Sequence, residues 1–121
     1  VDGDEPCDVK DVNEVFIVSD GTGECAKQSV VRAMRQFEYC FGTACGVSRS
    51  TVYRFLSKGE DAKAIAEEAA DREALVVFTV MDRAVNETLA KALEERGVEY
   101  VDLWSGLLSS LEKKFGAPRS G

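Results

Sequence analysis

Short unbroken apolar runs mark the strands of this chain. Residues 15–18 and 75–80 are continuous apolar runs, which are typical of strands covered on both faces of a sheet. Residues 51–56 are β-branched and aromatic but are interrupted by Arg54, and residues 98–103 form a short fourth run. The pattern therefore predicts two central strands and two outer strands.

The segments that follow each run carry apolar residues three or four positions apart, which predicts helices. The predicted helices, with their start and stop signals, are about 24–39, around 62–69, a third that is capped by Asp82 and stopped by Gly97, and a fourth that is capped by Ser105 and closed by Gly116 and Pro118. Strand and helix thus alternate four times along the chain.

This alternation predicts an α/β fold with a small, doubly wound, parallel four-stranded sheet. Helical crossovers require parallel pairing and right-handed connections, and the two most apolar strands belong in the centre. The predicted strand order is therefore 2-1-3-4, with helices on both faces. Ligands of such sheets bind at the carboxyl ends of the strands where the winding reverses, here between strands 1 and 3. This places residues 20–23 beside Thr79, Met81, Asp82 and Arg83.

The first strand runs directly into a glycine-rich turn, and a helix follows. That order directs backbone N–H groups towards a phosphate. Counted against the pattern Gly-x4-Gly-Lys-Ser/Thr, Gly21 and Lys27 fall on matching positions. Ala26 replaces the second glycine, and Gln28 replaces the Ser/Thr that would hold Mg²⁺. The loop is therefore a degenerate P-loop, suited to holding a phosphate rather than to metal-assisted transfer.

We predict a nucleotide- or phosphate-binding site with AMP, ADP or phosphate as the candidate ligand, with no required cofactor and with no metal or catalytic residue. The predicted binding residues are Ser19, Asp20, Gly21, Thr22, Gly23, Lys27 and Arg83. Other interpretations stay open. The glycines fit a tight turn without a ligand, Asp20 and Asp82 fit turn and cap positions, and Trp104 fits either a base-stacking or a core position.

Composition narrows the class of protein. The 121 residues carry a net charge of −7, and 45% of them are hydrophobic, which fits one domain with a buried core. The acidic balance argues against binding to nucleic acid or to an anionic membrane, and no apolar run is long enough for a membrane helix. Residues 1–13 are predicted to be a flexible acidic arm, and residues 14–121 the single domain.

The four cysteines are Cys7, Cys25, Cys40 and Cys45, and the chain has no histidine. The Cys40-x4-Cys45 spacing is wider than a zinc pair, and no second pair follows. A short-loop disulfide between Cys40 and Cys45 and free thiols in a reducing compartment both stay open. Cys7 lies in the predicted arm, where a thiol pairs more easily between chains, so a disulfide-linked homodimer is a further prediction.

Several segments resemble one family. Residues 15–30 (VFIVSDGTGECAKQSV), 36–38, 74–93 and 101–103 are similar to the N-terminal half of the pyruvate, phosphate dikinase regulatory proteins. The resemblance covers roughly residues 14–116. Cys40 and Cys45 resemble the plant branch, which implies a location in the chloroplast stroma, or otherwise in the cytoplasm.

The resemblance implies a bifunctional parent protein. Such proteins inactivate the dikinase by ADP-dependent phosphorylation of a threonine, and they reactivate it by phosphate-dependent dephosphorylation. The family's intact P-loop and catalytic residues lie in a C-terminal domain, which we expect this chain to lack, so no catalytic role is carried onto these positions. We expect a regulatory nucleotide-binding domain; the alternative is a dimerisation and dikinase-docking module that binds no nucleotide. A small independent enzyme is disfavoured, because the chain has no Cys-x5-Arg loop.

Overall fold

The computed structural model of the chain describes residues 13–37 and 48–118. The acidic arm up to residue 12 lies outside these residues, and so do the disulfide candidates Cys7, Cys40 and Cys45. Predictions for those parts of the chain stay predictions.

Four strands and four helices alternate in the described residues. The strands are β1 Asn13–Ser19, β2 Ser48–Tyr53, β3 Leu75–Thr79 and β4 Tyr100–Asp102. The helices are α1 Glu24–Met34, extended by a 3-10 turn Arg35–Phe37, α2 Gly59–Arg72, α3 Arg83–Glu95 and α4 Ser105–Phe115. All strand pairs are parallel, and the order is β2-β1-β3-β4. The predicted α/β fold and strand order are confirmed.

The central strand β1 is covered on both faces, as its unbroken apolar run predicts. Phe16 and Val18 join the larger core cluster, which includes residues of α2 and α3. Ile17 points the other way and packs with Ala26 and Val30 of α1. Side chains of a strand alternate between faces, so a continuous apolar run needs helices on both sides.

The end of the second strand differs from the sequence prediction for a structural reason. The second strand ends at Tyr53 and not at residue 56, because Phe55 takes a left-handed backbone conformation with φ 56°. From there the N–H groups of Phe55 and Leu56 donate to the carbonyls of Gly21 and Ser19, both at 2.9 Å. The chain therefore leaves β2 by crossing the glycine loop.

The two predicted helix caps have different outcomes. Asp82 is the N-cap of α3, and its Oδ1 accepts a hydrogen bond from the Val85 N–H at 3.0 Å. The prediction that Ser105 caps the last helix is wrong. Trp104 occupies the N-cap of α4 and makes no side-chain capping bond, while Ser105 is the first helical residue. Ser105 lies one position after the N-cap, so no N-cap side chain accepts a hydrogen bond from the first N–H groups of α4.

Charged groups at the amino end of the sheet are paired. Glu14 at the start of β1 is 8% exposed, and its carboxylate receives a hydrogen bond from Arg72 at 3.3 Å. Arg72 also donates to Glu68 at 2.6 Å. The hydrogen bonds to Glu14 and then to Glu68 raise the pKa of Arg72. This cluster of Glu14, Glu68 and Arg72 fixes the C-terminal end of α2 to the start of β1.

The last helix, α4, has no buried residue. Leu107, Leu111 and Phe115 are spaced four residues apart, so they share one side of the helix, and they are 51%, 37% and 71% exposed. We call these three residues the α4 stripe. No helix in the described part of the chain combines the length and apolar character that a membrane crossing requires.

Candidate functional site

The glycine loop connects the carboxyl end of β1 to α1. Ser19 closes the strand, and its Oγ accepts a hydrogen bond from the Gly21 N–H at 2.9 Å. Gly23 is the N-cap of α1, with φ 81° in the left-handed region. Its carbonyl accepts the first helical bond, from the Lys27 N–H at 2.9 Å. The turn is thus held by its own backbone and one buried hydroxyl.

The two glycines of the loop have different structural requirements. Gly23 is required by the fold, because its φ is left-handed and a Cβ there would lie 3.0 Å from Val52 Cγ1 on β2. At Gly21, a Cβ would meet only Ser19 Oγ, at 3.8 Å, and the φ angle lies outside the left-handed region. The fold therefore explains a glycine at position 23 and leaves one at position 21 without a structural cause.

The carboxylates of Asp20 and Asp82 tie the two central strand ends together. Asp20 Oδ2 accepts hydrogen bonds from the backbone N–H groups of Met81 and Asp82, at 2.7 and 3.1 Å. Asp82 in turn caps α3. The loop after β1 therefore lies beside the turn after β3, as the predicted strand order requires.

Arg54 is a residue of this region that sequence reasoning missed. Its Nε donates to the Thr22 carbonyl at 2.8 Å, and its guanidinium lies 3.7 Å from the Glu24 carboxylate. The available signal was its position directly after the second strand, since the carboxyl ends of neighbouring parallel strands lie at one edge of a sheet. Arg54 offsets the negative charge that Glu24 brings to the helix terminus.

A pocket of about 210 Å³ lies at the loop. Its lining is Ser19, Asp20, Gly21, Thr22, Gly23, Glu24, Cys25, Ala26, Thr79, Met81 and Trp104. Five of the seven predicted binding residues are in this set. Lys27 lies further along α1 and does not line the pocket, and Arg83 lines a neighbouring cleft instead. That cleft, of about 840 Å³, lies between α3 and α4 and shares Met81 and Trp104 with the loop pocket.

Three residues that line the smaller pocket have backbone N–H groups without an acceptor in the described part of the chain. The N–H groups of Gly23, Cys25 and Ala26 have no acceptor among residues 13–37 and 48–118. The N–H groups of a helix's first turn have no partner within the helix, and the helix dipole is positive at this end. The Cys25 thiol is exposed and unpaired at the same place. The arrangement is suited to an anion with several acceptor oxygens.

The two departures from the P-loop pattern have different surroundings. Ala26 is 1% exposed and packs in the core with Ile17 and Val77, so its methyl group is a packing element. Gln28 is exposed and has no recorded hydrogen bond among the described residues. The same residues hold no group of three or more His, Cys, Asp or Glu side chains arranged to bind a metal ion.

Residues 15–121 match the family model described as kinase/pyrophosphorylase, and the chain belongs to that family. This agrees with the resemblance on which the sequence prediction rests. The match contains the glycine loop, the α3–α4 cleft and every described strand except the first two residues of β1.

The curated relatives that the chain matches are named as pyruvate, phosphate dikinase regulatory proteins. Over 120 residues the chain is 28% identical to pyruvate, phosphate dikinase regulatory protein 1, chloroplastic, from Arabidopsis thaliana, covering 98% of this chain and 30% of the relative. It is 29% identical over 107 residues to pyruvate, phosphate dikinase regulatory protein, chloroplastic, from Zea mays, covering 88% of this chain and 25% of the relative. The chain therefore spans less than a third of the length of either plant relative. Both names agree with the predicted chloroplast location.

Proposed function

We propose that this chain acts as the N-terminal regulatory domain of a pyruvate, phosphate dikinase regulatory protein, and that its glycine loop binds the phosphate of a nucleotide without transferring it. The observation that carries this proposal is the pocket of about 210 Å³ whose lining residues include Gly23, Cys25 and Ala26, since the N–H groups of these three residues have no acceptor in the described residues. A phosphate oxygen satisfies such donors and is stabilised by the positive end of α1.

Gly21 supports the same proposal. A residue that the fold does not require to be glycine lies in the wall of the pocket. Glycine there allows a ligand to approach the backbone closely, which is one of the established uses of this residue. A methyl group at this position takes up space in a small pocket without disturbing the surrounding protein.

The two carboxylates that line the pocket are each in contact with a neighbouring group. Glu24 and Asp20 both line the pocket, but Asp20 is hydrogen-bonded to two backbone N–H groups and Glu24 lies beside Arg54. Lys27 adds a positive charge on the next turn of α1. Ionic contacts at such exposed positions are weak individually, so the backbone donors carry most of the proposed binding.

Phosphate transfer by this part of the protein is not supported by the same residues. Asp82 is engaged as a helix cap and Asp20 as a tie between strand ends, so neither is arranged as a base. Gln28 stands where the P-loop pattern has its Mg²⁺-binding hydroxyl. We therefore assign binding and regulation, rather than catalysis, to this site.

The adjoining cleft offers room for the rest of a nucleotide. Its volume of about 840 Å³ lies within the range of small-molecule sites. Trp104 lines both the loop pocket and the cleft, and Arg83 lines the cleft. AMP and ADP extend from one pocket to the other in this proposal, whereas inorganic phosphate occupies the loop alone.

The proposed partner is pyruvate, phosphate dikinase, and the proposed location is the chloroplast stroma, because the plant relatives are named for that partner and that organelle. In the complete protein, the proposed activity is ADP-dependent phosphorylation of a dikinase threonine and its phosphate-dependent reversal. In this proposal, nucleotide binding to this domain regulates that activity.

Isothermal titration with AMP, ADP and phosphate tests the loop. We expect the wild-type chain to bind at least one of them, and Gly21→Ala to bind it about tenfold more weakly, an effect of about 1.4 kcal/mol. Gly106→Ala is the matched control, because a Cβ at Gly106 has no heavy atom within 4 Å in the described structure. Lys27→Ala measures the contribution of the lysine. Absence of heat with all three ligands for the wild-type chain would contradict the proposal.

The α4 stripe favours a second candidate function, a dimerisation and dikinase-docking module. Three large apolar side chains on one side of an exposed helix form the kind of surface that a protein partner covers. We propose a second copy of this chain as the occupant. The disulfide through Cys7 is a separate prediction, since Cys7 lies outside the described residues.

Light scattering coupled to size exclusion tests this second candidate. Leu111→Glu is expected to convert a dimer to a monomer, while Ser110→Glu on the same helix leaves the mass unchanged. A wild-type chain that elutes as a monomer at high concentration contradicts the homodimer. Comparison of Cys7→Ser with wild type on non-reducing gels then tests the disulfide alone.

A further inference from the structure

Thr79 ends β3 directly opposite the residue that ends β1. In the sheet register Ser19 pairs with Thr79, as Ile17 pairs with Val77 two residues earlier. Ile17 and Val77 both pack with α1. Because side chains two residues apart in a strand share a face, Ser19 and Thr79 lie on the α1 face, beneath the first turn of that helix.

The Thr79 hydroxyl makes no hydrogen bond within the part of the chain that the structure describes. The residue is only 7% exposed, yet no hydrogen bond from its side chain occurs within residues 13–37 and 48–118. In the same residues, no completely buried side-chain nitrogen or oxygen lacks a partner. The Thr79 hydroxyl oxygen is therefore not completely buried, and the residue lines the loop pocket.

Ser19, which pairs with Thr79 in the sheet register, has a hydroxyl with a structural role. It is 5% exposed, and its Oγ accepts the hydrogen bond from the Gly21 N–H that closes the turn. Thr79 has no such task. Because the Thr79 oxygen is not completely buried, solvent satisfies it in the ligand-free protein, and a ligand that enters the pocket can replace that solvent.

We infer that Thr79 is a ligand-binding residue of the glycine-loop site, whose Oγ1–H donates a hydrogen bond to a phosphoryl oxygen held by the first-turn N–H groups of α1. The inference rests on the proposed function of the loop. It adds a contact from the neighbouring strand, so that the phosphate is held from β3 as well as from the loop. A charge-assisted hydrogen bond of this kind is stronger than one between neutral groups.

Thr79→Val removes the hydroxyl and keeps the shape of the side chain. We expect it to weaken binding of both AMP and inorganic phosphate about tenfold in calorimetric titrations, the loss typical of one hydrogen bond to a charged group. The ligand-free variant is expected to melt at the same temperature as the wild-type chain or above it. Thr79→Ser, which keeps the hydroxyl, is expected to bind within about threefold of wild type, since the hydrogen-bond donor is preserved.

Thr51→Val is the matched control, because Thr51 lies in β2 and does not line the loop pocket. Normal binding by Thr79→Val, with a wild-type chain that binds, overturns this inference and leaves the proposed function standing. A lowered melting temperature for Thr79→Val, without rescue by serine, assigns the residue a structural role and also overturns it. If Thr79→Val weakens the binding of AMP but not that of inorganic phosphate, Thr79 does not contact the phosphoryl group, and the inference is overturned. Failure of the wild-type chain to bind either probe removes the proposed function and this inference together.

Discussion

The two ends of the sheet differ in what their polar groups do. At the amino end, the buried Glu14 carboxylate is paired with Arg72, which is also bonded to Glu68. At the carboxyl end, the N–H groups of Gly23, Cys25 and Ala26 and the solvent-accessible hydroxyl of Thr79 have no hydrogen-bond partner in the described residues. Both ends are polar, but the amino-end groups are paired with one another, whereas these carboxyl-end groups remain available to a further molecule.

The difference indicates that polar groups at the amino end stabilise the fold, whereas those at the carboxyl end are suited to binding a ligand. The first-turn N–H groups of a helix have no partner within the helix, so the donors at the start of α1 are available to an anion. The doubly wound topology puts that cluster where ligands of such sheets bind. A functional interpretation of the carboxyl end therefore predicts that changes there affect binding, and that changes at the amino end affect stability alone.

The largest expected effect concerns the two loop glycines. Gly23→Ala is expected to destabilise the protein by about 3 kcal/mol, because alanine is strained at the left-handed φ and its Cβ contacts Val52. Gly21→Ala is expected to change the free energy of unfolding by less than about 0.5 kcal/mol. Urea unfolding of both variants measures the contrast. Equal destabilisation would show that Gly21 is also structural, and would remove one support for the ligand site.

The next effect concerns the amino end. Arg72→Met leaves the buried Glu14 carboxylate without its partner and is expected to lower the melting temperature by several degrees. Arg96→Met is the control, since it breaks only the exposed ion pair with Glu67 and is expected to have little effect. Neither variant should alter AMP binding. Loss of binding in Arg72→Met, with the fold intact, would contradict the separation of the two ends.

A smaller effect is expected for the tie between the two central strand ends. Asp20→Ala removes the acceptor for the N–H groups of Met81 and Asp82, and is expected to destabilise the protein by about 1 kcal/mol. Because the loop and the turn after β3 are then no longer fixed together, ligand binding should weaken as well. Asp20→Asn keeps one side-chain acceptor oxygen and should lie between wild type and alanine in both measurements. Unchanged stability in Asp20→Ala would show that the tie is not formed in solution.

The smallest effect is a dependence on alkaline pH, away from the ligand site. The Tyr100 hydroxyl donates to the Glu94 carboxylate, and this hydrogen bond raises the pKa of Tyr100 above 10.0. The folded protein thus holds this proton more tightly than the unfolded chain, so the added stability is complete below about pH 10 and is lost as the pH rises through the raised pKa. In Tyr100→Phe, the melting temperature should fall less steeply above about pH 10 than in the wild-type chain. Tyr53, whose pKa is raised chiefly by burial, accounts for a remaining dependence. An unchanged alkaline profile in Tyr100→Phe would contradict the assignment.

The sequence was sufficient to predict the fold because its signals are redundant. The unbroken runs at 15–18 and 75–80 need cover on both faces, and four strand–helix repeats leave few parallel topologies. Ends of elements were less predictable. Phe55 leaves the strand because the chain turns across the glycine loop, which is a tertiary contact that no local pattern encodes.

The candidate site was predicted in part, for a similar reason. Strand order alone brings residues 19–23 to the switch point, and the structure places them around one pocket. Whether a given polar atom is already bonded depends on geometry at the scale of a hydrogen bond. The engagement of Asp20, the role of Arg54 and the unpaired hydroxyl of Thr79 could therefore be read only from the structure.

An amide NMR titration of the 121-residue chain with AMP tests the central comparison most directly. The account predicts that resonances of Gly23, Cys25 and Ala26 shift with AMP, together with those around Thr79, while those of Glu14 and Arg72 stay in place. Resonances that do not move at saturating AMP, or shifts confined to the amino end of the sheet, would contradict it.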